Sequence, residues 1–210
     1  MINIRVILPT RGLVFTEMLD ALLGNLKGFT HKIYLSADRV IPDSQNYLID
    51  QALHDNPTHL LFVEEDTVMP KNALAEMLLL DADIVCVDYG VGGWSCITKN
   101  KKTNEILWCG LGCTLIKKEV FDKLEKPYFR SDKALLLNFW PDVKWIDAGE
   151  QAYGLQDIWF FMKAREEGFI IRQLPGEAKH LQLDQLGKRE INKGLHQISQ
   201  KPVVSKHQEL

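Results

Sequence analysis

Long apolar runs are missing from this 210-residue chain, and no stretch approaches the length of a membrane span. The opening Met1-Ile2-Asn3-Ile4-Arg5-Val6-Ile7-Leu8-Pro9 has no basic region followed by an apolar core. It reads as a first strand and not as a signal peptide. A strong charge of one sign is also missing: the net charge is −3, which argues against a general electrostatic grip on nucleic acid. Cysteine is scarce. Cys86, Cys96, Cys109 and Cys113 are the only four, and their spacing is not that of a zinc site. Set in apolar sequence, they are expected to be reduced and buried, which favours a reducing, cytoplasmic compartment. No internal repeat and no interdomain linker stand out.

What is present suits a folded domain. The chain is 46% hydrophobic and 25% charged, enough to bury a core and too apolar for disorder. Its length fits one compact domain, with 182–210 as a polar tail or lid after a domain over 1–181. Strand and helix patterns alternate through the first half. Strands are expected at Asn3 to Leu8, His31 to Ser36, Leu60 to Glu64 and Asp83 to Asp88. Helices are expected at Leu13 to Leu26, at Ser44 to His54, and from Pro70 to about Leu80, with the proline in the first turn. Such alternation predicts an α/β sheet, largely parallel.

The second half changes character. Ile106 to Ile116 predicts one or two strands broken by Gly110 and Gly112, followed by a short helix over Lys118 to Leu124. Lys126 to Gly154 reads as long, irregular and rich in aromatics. A helix over Leu155 to Glu167 closes on Gly168, and Phe169 to Leu174 forms another strand.

The richest stretch is His59-Leu60-Leu61-Phe62-Val63-Glu64-Glu65-Asp66-Thr67. A buried strand ends abruptly in three carboxylates, which are costly there unless something positive meets them. Strand alternation would put Glu64 and Asp66 on one face and Glu65 on the other. Two carboxylates aimed at one point suit a hard divalent cation. A solvated acidic strand end is the plain alternative.

The order of motifs resembles that of the GT-A class, the nucleotide-diphospho-sugar transferase fold, and within it the glycosyltransferase family 2-like group. The motifs are Pro9-Thr10, Asp38, Glu64-Glu65-Asp66, Gly110-Leu111-Gly112-Cys113-Thr114-Leu115-Ile116, Gln156-Asp157 and His180, spread over about Ile2 to Leu181. The resemblance implies a single Rossmann-like domain with a mostly parallel central sheet flanked by helices and a small antiparallel element in the second half.

It also implies roles. Asp66 would ligate a divalent cation, Mn2+ or Mg2+, with His180 completing the site. Glu64, at the first acidic position of the DxD motif, and Glu65 would serve the nucleotide or donor sugar. A glutamate at Glu64 departs from the usual aspartate by one methylene. Thr10, Arg11 and Asp38 would hold the nucleotide at the carboxyl edge of the sheet. Gly112 and Gly110 would let the backbone approach the donor, or would mark a bend. Asp157 would remove the proton of the acceptor hydroxyl. The family's preceding glutamate is Gln156 here, and its arginine-asparagine pair is Gln45-Asn46. Tyr89 to Trp94 would border the donor sugar or form a turn. Trp140 and Trp145, in the aromatic segment Leu135 to Trp145, would face the acceptor or plug the core.

The function implied is a metal-dependent, inverting glycosyltransferase. It would move a sugar from a nucleotide-diphosphate donor to a hydroxyl of a glycan, lipid or protein. Two other readings stay open. A sugar-phosphate nucleotidyltransferase would need a glycine- and arginine-rich loop after the first strand, where only Arg11-Gly12 stands. A non-catalytic nucleotide-sugar-binding module would accommodate the departures at Glu64 and Gln156.

Overall fold

The computed structural model describes residues 1–91, 93–136, 144–147, 155–183 and 189–191. The first half is a run of strand–helix units. β1 (Asn3–Pro9), β2 (Thr30–Ser36) and β3 (His59–Val63) alternate with α1 (Thr16–Leu26) and α2 (Asp43–Leu53). A two-residue β4 (Thr67–Val68) follows the acidic triplet, then α3 (Ala73–Leu79) and β5 (Ile84–Val91). Two short hairpin partners, β6 (Trp94–Ser95) and β7 (Thr98–Lys99), lead to β8 (Ile106–Trp108), β9 (Cys113–Lys117) and α4 (Lys118–Lys123). The remainder comprises β10 (Lys133–Leu136), β11 (Lys144–Asp147), α5 (Leu155–Glu166), β12 (Ile171–Leu183) and β13 (Arg189–Ile191).

The main sheet runs β13-β12-β5-β9-β3-β1-β2. β1 pairs parallel with β2 and β3, and β12 pairs parallel with β5. β9 alone runs against both its neighbours, β3 and β5, and so β5 and β12 point the same way as β1 to β3. The expected mostly parallel sheet is thus present, with one reversed strand at its centre. β10 and β11 form a small antiparallel ladder in the second half, also as expected.

Period-two alternation explains the layers. Ile4, Val6 and Leu8 of β1, with Leu61 and Val63 of β3, face Met18, Leu22 and Leu26 of α1 and Leu74 and Met77 of α3. Ile7, Leu60 and Phe62 face the other way, onto Leu48 and Ile49 of α2, Phe121 of α4 and Phe160 of α5. Both faces of the sheet are therefore covered, the usual consequence of parallel crossovers. All four cysteines are free; Cys86, Cys109 and Cys113 are buried, as their apolar setting predicts.

Three local expectations need correction. The helix expected from Pro70 begins at Ala73, because Asn72 adopts a left-handed backbone at φ 64 immediately before it. Pro70 instead accepts the Ala73 N–H at 3.2 Å. The strand expected to stop at Leu174 continues to Leu183. Pro175-Gly176 makes a bulge, with Gly176 at φ +109, and pairing resumes at Glu177 opposite Asp88. Finally, Glu64 to Asp66 do not extend β3. They form a turn, closed by Thr67 N–H donating to the Glu64 carbonyl at 3.2 Å.

Candidate active site at the carboxyl edge of the sheet

The parallel strands deliver their loops to one edge. Thr10 and Arg11 follow β1, Asp38 follows β2, and the acidic turn follows β3. Reversed β9 starts at this same edge, with Cys113 opposite Val63, so Gly112 lies beside Glu64. The Glu64 N–H donates to the Gly112 carbonyl at 3.3 Å. β12 arrives last. Beyond its bulge it leaves β5 for β4, placing His180 opposite Thr67 and donating the Leu181 N–H to the Asp66 carbonyl at 2.7 Å.

The result is a triad. Donor atoms of Glu64, Asp66 and His180 all lie within 4.8 Å of one another. Asp66 Oδ1 and His180 Nε2 are 3.4 Å apart. Two ligands of one Mn2+-sized or Mg2+-sized ion, each at about 2.1 Å, lie at most about 4.2 Å apart, so a small rotation closes the set on one ion. The charge balance also calls for a cation. Burial, with the Asp66 carboxylate beside it, pushes Glu64 up to about 7. The hydrogen bond to Asp66 holds the His180 imidazole above its ordinary value, against its burial. Two carboxylates and an imidazole make a donor set that fits a divalent metal ion. The turn achieves the convergence of Glu64 and Asp66 that strand alternation was expected to supply.

Glu65 points away from the triad and is buried. It accepts from the Thr10 hydroxyl at 2.5 Å, from the Arg11 N–H at 2.6 Å and from Arg11 Nε. Its backbone carbonyl accepts from Phe15 at 3.1 Å. Its carboxylate is therefore spent on shaping the β1–α1 loop. Arg11 also pairs with Asp66 at 3.3 Å, so its guanidinium lies over the acidic turn. Asp38 is exposed, and the hydrogen bond from Ser36 Oγ, at 2.8 Å, holds its carboxyl below the usual range.

Asp157 lies in the first turn of α5, where the helix N-terminus favours an anion. Burial pushes its carboxyl well above the ordinary range, and Glu64 adds to the shift. The Leu111 N–H and the Gln156 side chain oppose it. Among the described residues its buried Oδ1 has no hydrogen-bond partner.

Gly110 and Gly112 have a reason that the sequence did not disclose. A Cβ on Gly112 would lie 2.8 Å from the Tyr89 hydroxyl and 2.8 Å from Thr67 Oγ1, and one on Gly110 only 2.2 Å from that Tyr89 hydroxyl. The space that a side chain at either glycine would need is filled by Tyr89. Tyr89 itself is buried in β5, and Tyr89 to Trp94 is a β5–β6 hairpin with Val91 opposite Trp94. A G-x-G at the start of a central strand was the available signal, but nothing in it points to Tyr89. Trp140 lies outside the described residues, and Trp145 pairs with Leu135 in the β10–β11 ladder.

No protein-family model and no curated protein matches the chain. Solved structures do. The chain is similar to A197 from STIV, with a TM-score of 0.60 at 20% identity, over 95% of this chain and 99% of that one. It is more remotely similar to a glycosyltransferase involved in the glycosylation of the major capsid of PBCV-1, with a TM-score of 0.37 at 13% identity, over 66% of this chain and 71% of that one. A candidate glucose-1-phosphate thymidylyltransferase from Bacillus anthracis gives a TM-score of 0.49 at 9% identity, over 86% and 89% of the two chains. The likeness to A197 is one of fold: a largely parallel α/β sheet with β9 reversed at its centre and an acidic turn at its carboxyl edge.

Proposed function

We propose that this protein is a divalent-cation-dependent glycosyltransferase that uses a nucleotide-diphosphate sugar and inverts the anomeric centre. The observation that carries the reading is the Glu64–Asp66–His180 triad at the carboxyl edge, with Asp157 close enough to Glu64 to feel its charge and its Oδ1 without a hydrogen-bond partner among the described residues. Asp66 and His180, with Glu64, would hold a divalent cation, Mn2+ or Mg2+. Bound there, the cation would stabilise charge on the departing diphosphate. Thr10, Arg11 and Asp38 hold the nucleotide, and Glu65 fixes the loop that presents Thr10 and Arg11. Asp157 takes the proton of the acceptor hydroxyl as its oxygen bonds to the anomeric carbon and the bond to diphosphate breaks. The acceptor is a hydroxyl of a glycan, lipid or protein, with Trp140 and Trp145 as its contact residues.

A second reading, a nucleotide-sugar-binding module without transfer, is favoured by the uncharged Gln156 where the family carries a glutamate and by the glutamate at Glu64. A nucleotidyltransferase has less support, since only Arg11-Gly12 stands where its glycine- and arginine-rich loop would follow β1.

Thermal-shift titration with nucleotide diphosphates and their sugars, with and without Mn2+, tests the reading. Stabilisation by one nucleotide only with Mn2+, lost in Asp66→Asn, supports it; at a hundredfold excess over Kd the gain is about 2.7 kcal/mol. No shift with any nucleotide rejects it. With the donor known, Asp157→Asn should bind it normally and lose transfer by about 10²-fold or more. Binding without transfer in the unsubstituted protein selects the second reading.

A further inference from the structure

Tyr89 packs on the ring of His180 and reaches Glu64 through the peptide of Gly112. Its hydroxyl accepts the Gly112 N–H at 2.9 Å, and the carbonyl of that same glycine accepts the Glu64 N–H at 3.3 Å. Its ring lies against the His180 ring, with centroids 5.7 Å apart and planes inclined at 40°, within the range of favourable aromatic pairs. The backbone on either side is also tied down. The Tyr89 carbonyl accepts from Cys96 at 3.1 Å, and Tyr89 stands opposite Ala178, two residues before His180, in the β5–β12 ladder. The side chain is 3% exposed and fills the space left by Gly110 and Gly112, with the buried Thr67 Oγ1 on its other flank.

His180 comes from one end of the fold and the acidic turn from another. The strands that carry them meet through two β4–β12 register pairs, Lys179 with Val68 and His180 with Thr67. The Leu181 N–H, donating to the Asp66 carbonyl at 2.7 Å, adds one further tie. Tyr89 packs on the His180 ring and is linked to Glu64 through the Gly112 peptide, a second connection between the two parts. We propose that Tyr89 is a positioning residue for the cation site, holding the His180 ring through its own ring and the Glu64 backbone through the Gly112 peptide. This rests on the metal reading above. It also explains why two small residues open β9: they admit the tyrosine that sets the spacing of the ligands.

The test is Mn2+ affinity, read by electron paramagnetic resonance of free Mn2+ in the absence of any substrate. Tyr89→Leu removes both contacts and should weaken binding by about tenfold or more, the usual scale for a residue that supports ligands without ligating. Tyr89→Phe keeps the ring on His180 and loses the hydroxyl, so its affinity should fall between the two. Leu48→Ala, in α2 on the other face of the sheet, is the stability control and should bind Mn2+ as the unsubstituted protein does. Tyr89→Leu binding with unchanged affinity overturns the inference, as does an equal loss in Leu48→Ala. Should Tyr89→Leu not fold, Tyr89→Phe decides: unchanged affinity rejects the role. If the unsubstituted protein binds no Mn2+, the metal reading itself falls and this inference with it. That result is distinct from binding that ignores Tyr89.

Discussion

At the scale of single residues, charge was legible and space was not. Three carboxylates at a strand end demand either solvent or a cation, and that demand follows from residue type alone. Asp66 and His180 were therefore visible as a pair from the motif order, 114 positions apart, and the structure brings them to 3.4 Å. Glu65 and Gly112 show what residue type leaves open. Both sit in the motif expected to touch the donor. Glu65 turns back onto Thr10 and Arg11, and the room at Gly112 goes to Tyr89. Neither fact is readable without knowing which side chains arrive from β5 and from the loop after β1. The steric account makes a prediction. Gly112→Ala puts a methyl group against the Tyr89 ring and Thr67 Oγ1, and should cost about 1–3 kcal/mol, the usual scale for overpacking. Urea unfolding measures it. A stability equal to that of the unsubstituted protein would mean that Tyr89 moves aside freely.

At the scale of elements, periodicity located the strands and helices, and tertiary pairing set their ends. β12 is the clearest case. Pro175-Gly176 reads as a stop, yet the strand resumes because Asp88 and Tyr89 of β5 offer it partners. That continuation carries His180 to the acidic turn. The α2–β1–β2 corner depends on a different kind of tie. Asp55, just past α2, accepts from Arg5 Nε of β1 at 3.1 Å, from Lys32 Nζ of β2 at 3.0 Å and from the Tyr34 hydroxyl. Tyr34, then Lys32 and Arg5, hold its carboxyl down to about 2. A depressed carboxylate stabilises the fold above its unfolded pKa of about 4, and that contribution fades as pH falls through about 2. The difference in Tm between the unsubstituted protein and Asp55→Asn should therefore be constant above about pH 5, shrink through about pH 2 and be lost near about pH 1. A difference that persists unchanged in acid would place the effect elsewhere.

At the scale of the whole molecule, stability and chemistry occupy different parts of the same sheet. One core lies under α2, α4 and α5, where Phe62 packs on Phe121 with centroids 6.2 Å apart and on Phe129 at 5.9 Å. Phe160 stacks on Phe129 at 4.8 Å, which ties α5, and with it Asp157, to that cluster. Phe62→Ala should cost about 3–5 kcal/mol, as expected for deleting a buried aromatic side chain. Chemical denaturation followed by circular dichroism measures it, and a loss under about 1 kcal/mol would show that the cluster closes over the gap.

The sequence by itself determined the class of fold, the two-sided burial of its sheet and the edge at which the acidic residues gather. Those follow from local periodicity, from the need to cover apolar faces and from the cost of burying charge. Only the tertiary structure decided the direction of β9, the turn that aims Glu64 and Asp66 together, and the tyrosine beneath them. Each depends on contacts between segments far apart in the chain, where the shape of the remaining space, and not the identity of one residue, selects the outcome.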